Sequence, residues 1–141
     1  MVELELGPSG PRLDGQPVGG DRGPLERVLG PPTRTVAVER PIPGLEGHAH
    51  PESVQVWDDN GLIAGPGFMM VVLGENLLRE PIWPARRFPG AVLIDRTPLD
   101  VSSMTLDPLR EQRYHQDVND DHVTVFTDWR GIPTKLVMTW T

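Results

Sequence analysis

Val54-Gln55-Val56-Trp57-Asp58-Asp59-Asn60-Gly61-Leu62 returns, loosely, as Val123-Thr124-Val125-Phe126-Thr127-Asp128-Trp129-Arg130-Gly131-Ile132. In both stretches apolar residues alternate with polar ones and end on an aromatic. That is the period of a strand with one buried face. A polar turn follows, then Gly and an aliphatic residue. The Asn-Gly dipeptide is a hairpin signal, because tight hairpin turns need positive φ. Upstream, Leu13-Asp14-Gly15-Gln16-Pro17 is echoed by Ile94-Asp95-Arg96-Thr97-Pro98. The echo predicts one domain over 1–141, with pseudo-repeat halves at about 1–75 and 88–141.

The flanking chain fills in the elements. Val2-Glu3-Leu4-Glu5-Leu6 alternates strictly and predicts a strand with its aliphatics inward. Leu25, Val28 and Leu29 fall at helical spacing, with Pro24 suited to a first turn and Gly30-Pro31-Pro32 as a stop. Phe68 to Leu73 reads as a central strand buried on both faces. Residues 39–53 are rich in Pro and Gly and read as a long exposed loop, and residues 75–90, with three prolines, read as a second irregular stretch. A second short helix carrying Met104, Leu106 and Leu109 is expected, capped by Ser102 or Asp107. Tyr114 to Asp121 reads only as a polar, acidic stretch. Val123–Phe126 and Lys135–Trp140 close the chain as a hairpin. The expected fold class is α+β: an antiparallel sheet of about eight strands with two short helices on one face.

Composition narrows the function. Twenty acidic against 13 basic residues give a net charge of −7, which disfavours nucleic acid and suits a basic partner. There is no cysteine, so thiol catalysis and thiolate metal sites are excluded. Met1-Val2-Glu3-Leu4-Glu5 has no basic or apolar signal region, and no apolar run approaches the roughly 20 residues of a membrane span. A soluble cytoplasmic protein is expected.

No catalytic constellation stands out. His48-Ala49-His50 lacks a visible third and fourth metal ligand. Asp117 to Asp128 begins like a calcium loop, but His122 occupies the place of the required Gly, and a solvated acidic turn is the plainer reading. The serines lie in no nucleophile elbow. No cofactor and no metal are therefore expected. Trp83 and Trp129 sit in a loop and a turn beside Arg and Asp, the usual composition of a binding hot spot.

Leu25-Glu26-Arg27-Val28-Leu29-Gly30-Pro31-Pro32-Thr33-Arg34 forms a helix running into an LG-x-P-x-R corner. With Val56 to Leu62 and Pro84 to Asp95, it resembles an uncharacterised bacterial family of short intracellular proteins, some of which look like immunity proteins. The corner is also similar to the β-lactamase inhibitory protein-like fold, a protein-binding sheet in tandem copies. The resemblance implies a non-enzymatic inhibitor that neutralises a cognate toxin by occluding its basic active-site surface. The expected partner-binding residues are Asp58, Asp59, Asn60, Trp83, Asp120, Asp121 and Trp129. Two alternatives stay open. One is an assembly module that self-associates through an open sheet edge near the C-terminus, so monomer and homodimer are not distinguished. The other is an enzyme or small-ligand binder that uses the loops at 39–53 and 75–90.

Overall fold

The computed structural model describes residues 3–7, 10–19, 22–48, 50–110, 112–118 and 121–140. The fold is dominated by strands, which form two sheets, with few helical residues. The strands are β1 (Glu3–Gly7), β2 (Gly10–Leu13), β3 (Gln16–Pro17), β4 (Arg34–Ala37), β5 (Ser53–Trp57), β6 (Leu62–Gly65) and β7 (Phe68–Val72). They continue with β8 (Ala91–Ile94), β9 (Thr97–Pro98), β10 (Thr105–Leu106), β11 (Arg113–Val118), β12 (Asp121–Thr127) and β13 (Pro133–Thr139). The helix α1 spans Arg22–Leu29. The second helix expected from the sequence is a single 3-10 turn, Val101–Ser103, capped by the Asp100 side chain. Leu106 lies in β10, not on that helix.

The larger sheet has eight strands in the order β10-β11-β12-β13-β7-β6-β5-β4, all antiparallel. It consists of two four-strand meanders, β4–β7 and β10–β13. They meet where β7 pairs with β13. The smaller sheet, which the sequence reading did not foresee, has five strands in the order β3-β2-β1-β8-β9. Its β1 and β8 are parallel, so the molecule is not purely antiparallel. Among the described residues, no helix is long and apolar enough to cross a membrane.

The two echoed hairpins flank β1 in this smaller sheet. Leu13-Asp14-Gly15-Gln16 turns with φ of 49° and 83° at Asp14 and Gly15, and Ile94-Asp95-Arg96-Thr97 with 49° and 66° at Asp95 and Arg96. Positive φ at both central residues is the tight turn that matches strand twist. Each tip is tied to β1. Asp14 N–H donates to the Glu3 carbonyl, and Asp95 N–H to that of Leu6. Arg96 carries a side chain where its counterpart has Gly15. Arg96→Gly is accordingly expected to raise stability by about 0.5–1 kcal/mol, readable as a higher urea midpoint at unchanged slope.

Both faces of the larger sheet are covered. Leu62, Met69, Val71, Val123, Val125, Leu136 and Met138 face the smaller sheet and α1, which supply Leu4, Leu6, Leu13, Leu25, Val92 and Ile94. The alternate residues Val54, Val56, Ile63, Phe68, Met70, Phe126 and Val137 face the other way, onto Ile42, Leu45 and Ile82. Ile42 and Leu45 come from the segment expected to be an exposed loop, and Ile82 from the irregular stretch at 75–90. The loops are instead lids, and this explains why β7 is buried along its whole length. Helix α1 is fixed to β5 by polar contacts: Gln55 Nε2 donates to Glu26 Oε1 at 2.7 Å, and Trp57 Nε1 to the Gly30 carbonyl at 3.0 Å.

Candidate functional site

The strand register decides which loops share an end. Trp57 pairs with Leu62, Leu62 with Val71, Lys135 with Val72 and Phe126, and Phe126 with Arg113. The tips at 58–61 and 128–132, the exit of β7 and the entry to β11 therefore lie at one end of the larger sheet. At that end the two tips are three strand spacings apart, about 14 Å. The β11–β12 tip, with Asp121, lies at the opposite end, roughly 20 Å away along strands of six and seven residues. Asp120 lies outside the described residues. The seven expected contact residues are thus not one patch.

Their environments differ as well. Asp58 is turned inward. It receives a bidentate pair from Arg34 at 2.9 and 3.2 Å and the Ala85 N–H at 2.8 Å. Arg34 also donates to the Trp83 carbonyl, which fixes the 75–90 segment against the hairpin. Asp59 is open, its side chain 82 % exposed and 3.9 Å from Arg86. Asn60, Trp83 and Asp121 are half-buried. Trp129 is 82 % exposed at the β12–β13 tip. Beneath it Asp128 is buried and shapes the turn, accepting from the backbone N–H groups of Arg130 and Ile132 and from the Arg130 guanidinium.

Among the described residues, the large exposed apolar side chains are Leu77, Leu78, Leu106, Leu109, Trp129 and Ile132. All six belong to segments that reach the end shared by the 58–61 and 128–132 tips. Thr127 N–H donates to the Gln112 carbonyl, joining the β10–β11 loop to the β12–β13 tip. Gly74 N–H donates to the Thr134 carbonyl, bringing the 75–79 segment beside them.

The lid-covered face of β11–β13 carries charge that sequence reasoning missed. Lys135, the only lysine, is 1 % exposed and sits on the sheet under both lids. Its Nζ donates at 2.9 Å to both Glu80 carboxylate oxygens and to the Pro43 carbonyl. Burial lowers its pKa, and Glu80 only partly restores it. Arg113 Nη1 donates to Glu46 at 3.0 Å, and both Arg113 and Lys135 lie over the Phe126 ring, at 4.4 and 4.5 Å. Nearby, His115 Nε2 meets Asp107 at 3.1 Å and His122 Nδ1 meets Asp117 at 2.6 Å. The two inner nitrogens face each other at 3.2 Å. Asp117 and His122 pair across β11–β12, so this stretch is a hairpin and not a calcium loop. His48 shares a cleft with His115 and His122, but among the described residues no three His, Asp or Glu side chains are placed to hold a metal.

Two carboxyls on these ties are held below their ordinary range. For Asp58 the Arg34 hydrogen bond is the main cause. For Glu46, burial pulls upward but is outweighed by amide N–H groups and Arg113. A carboxyl lowered in the folded state stabilises above its ordinary value, and that stabilisation is lost as pH falls through the lowered one. Asp58→Asn is therefore expected to flatten the acid limb of a stability–pH curve below about pH 4, measured by urea unfolding.

Comparison with known proteins gives no match: no protein-family model, no curated protein and no solved structure matches the chain.

Proposed function

We propose that this chain is a non-enzymatic, protein-binding inhibitor of the immunity-protein kind, acting in the cytoplasm by covering the active site of a cognate toxin. The observation that carries the reading is the gathering of Leu77, Leu78, Leu109, Trp129 and Ile132 at one end of the larger sheet. Exposed apolar clusters of this sort mark partner surfaces, and a projecting tryptophan is a common anchor. Asp59 stands beside this surface as an acidic rim residue, and the net charge of −7 favours a basic partner through long-range attraction. Asp58 supports the surface from inside; Asp121, at the far end, is left out.

The proposed interface thus consists of Trp129, Leu109 and Ile132, with Asp59, Asn60 and Trp83 at its margin. Two four-strand meanders, each preceded by a tight hairpin, are read as a duplicated unit, the arrangement that the tandem fold analogy implies.

The test is co-expression with the product of a neighbouring gene, followed by purification and a toxicity assay. A one-to-one complex that protects the cell is expected. Trp129→Ala should weaken it by about 30-fold or more while leaving thermal stability unchanged, since the side chain is exposed. No complex and no protection would end the reading.

The self-association alternative needs different geometry from that expected. The C-terminal strand β13 is not an edge, being paired on both sides, with β12 and β7. The edges are β4 and β10 in the larger sheet and β3 and β9 in the smaller one.

A further inference from the structure

A cleft of about 220 Å³ opens beside Lys135, between the 75–83 segment and the strands β11–β13. Its apolar wall is Leu77, Leu78 and Trp83, and its polar wall holds Arg110, Arg113 and Thr127. We propose that this cleft is a binding site for a small apolar carboxylate.

The first observation is unspent hydrogen-bonding capacity. Arg113 is 8 % exposed, yet among the described residues its guanidinium makes one hydrogen bond, from Nη1 to Glu46. A guanidinium carries five N–H donors, so one hydrogen bond leaves Arg113 with further donors to offer. Arg110 is half exposed, 3.8 Å from Glu46 and within electrostatic reach of Asp107. Thr127 is 4 % exposed, and among the described residues its hydroxyl has no partner. A buried polar atom without a partner costs free energy, and this one belongs to a residue of the cleft wall.

The second observation is charge. Among the described residues, three cations line the cleft against the single carboxylate of Glu80. Lys135 has all three ammonium protons engaged by Glu80 and Pro43. Glu46 offsets part of the remaining charge through Arg113. The free donors belong to the two arginines, whose planar forks match a carboxylate.

Size and wall chemistry give the class. At roughly 20 Å³ per packed atom the cleft takes about ten non-hydrogen atoms, too few for a nucleotide. An aryl or branched-alkyl acid places its apolar body on Leu77, Leu78 and Trp83 and its carboxylate on the arginine wall. The same chemistry is offered by a free acid and by the C-terminal apolar residue of a peptide.

The experiment uses the isolated chain, so its outcome does not depend on whether a toxin partner exists. 3-Phenylpropionate and its neutral amide are titrated while the indole N–H signals of Trp83 and Trp129 are followed by NMR. Saturable one-to-one binding of the acid, shifting Trp83 more than Trp129, is expected, with the amide about tenfold weaker or worse. Arg110→Gln should weaken the acid about tenfold. Thr127→Val should weaken it severalfold without lowering the melting temperature, because it removes a hydroxyl that has no partner in the free protein. A peptide ending in a free Phe carboxylate, compared with its amidated form, separates the sources. Tighter binding than the acid assigns the cleft to a chain terminus, and equal or weaker binding assigns it to a free acid. Equal binding of acid and amide, no saturation by about 10 mM, or wild-type affinity in both variants would overturn the proposal.

Discussion

Lys135→Met is expected to destabilise the protein by about 3–5 kcal/mol, because it leaves the Glu80 carboxylate buried without its cation. Glu80 is 5 % exposed and cannot turn to water without lifting the lid that carries it. That lid is shaped locally by Asn76, whose side chain accepts from Glu80 N–H and donates to the Glu80 carbonyl. The lysine also holds the other lid, through Pro43. One ammonium group on β13 therefore fastens both coverings of the second face. The double variant Lys135→Met/Glu80→Leu should regain most of the loss, since an apolar pair of similar volume often replaces a buried ion pair at little cost. Urea unfolding of the two single variants and the double variant gives the coupling directly. A loss below about 1 kcal/mol for the single lysine variant would show that the pair is not a buried tie.

Gly61→Ala is expected to cost about 4 kcal/mol or more, or to abolish soluble expression. A Cβ at residue 61 would lie 2.2 Å from Phe88 N and 2.5 Å from the Arg87 carbonyl carbon. Those are backbone atoms, and they are fixed: Phe88 N–H donates to the Val72 carbonyl at 2.7 Å, while Val72 N–H donates to the Gly61 carbonyl at 2.9 Å. The φ of +66° adds strain for any side chain. Gly131, at the echoed tip, is the control. Its φ is +83°, but nothing lies within 4 Å of the added atom. Gly131→Ala should cost only the turn strain, about 1 kcal/mol. Melting temperatures of the two variants decide the comparison.

The two glycines show what the sequence could and could not tell. Turn chemistry marked both hairpins correctly, because positive φ has a composition signature. It could not tell that one tip is pressed against the 86–88 segment while the other is free. Alternation located β1, β5 and β12, and the unbroken apolar run located β7. It could not assign strands to sheets. The parallel pairing of β1 with β8 joins Leu4 to Val92 across most of the chain, and no local pattern encodes it. Strand β11 was hidden by its own polarity. Arg113, His115 and Asp117 look like a loop, yet Glu46, Asp107 and His122 answer them in space. The loop at 39–53 looked solvent-exposed, and the stretch at 75–90 irregular, because of their prolines and glycines; nothing local set the buried Ile42, Leu45 and Ile82 apart from the exposed Leu77 and Leu78. The candidate cleft was invisible for the same reason as the lysine tie: its walls come from residues 77–83 and 110–135, and only the fold brings them together.

The seam between β7 and β13 governs how the molecule can be made. During synthesis the first meander emerges with β7 as an open edge, apolar on both faces, and β1 emerges without its parallel neighbour β8. The strand that closes the seam is the last seven-residue strand of the chain. The smaller sheet cannot be completed before Pro98 has emerged, and the larger one not until nearly the whole polypeptide has left the ribosome. Contacts this distant in sequence slow folding. A nascent chain stalled after residue 75 should therefore be a chaperone client and prone to aggregation. Supplying residues 76–141 as a separate fragment should rescue it.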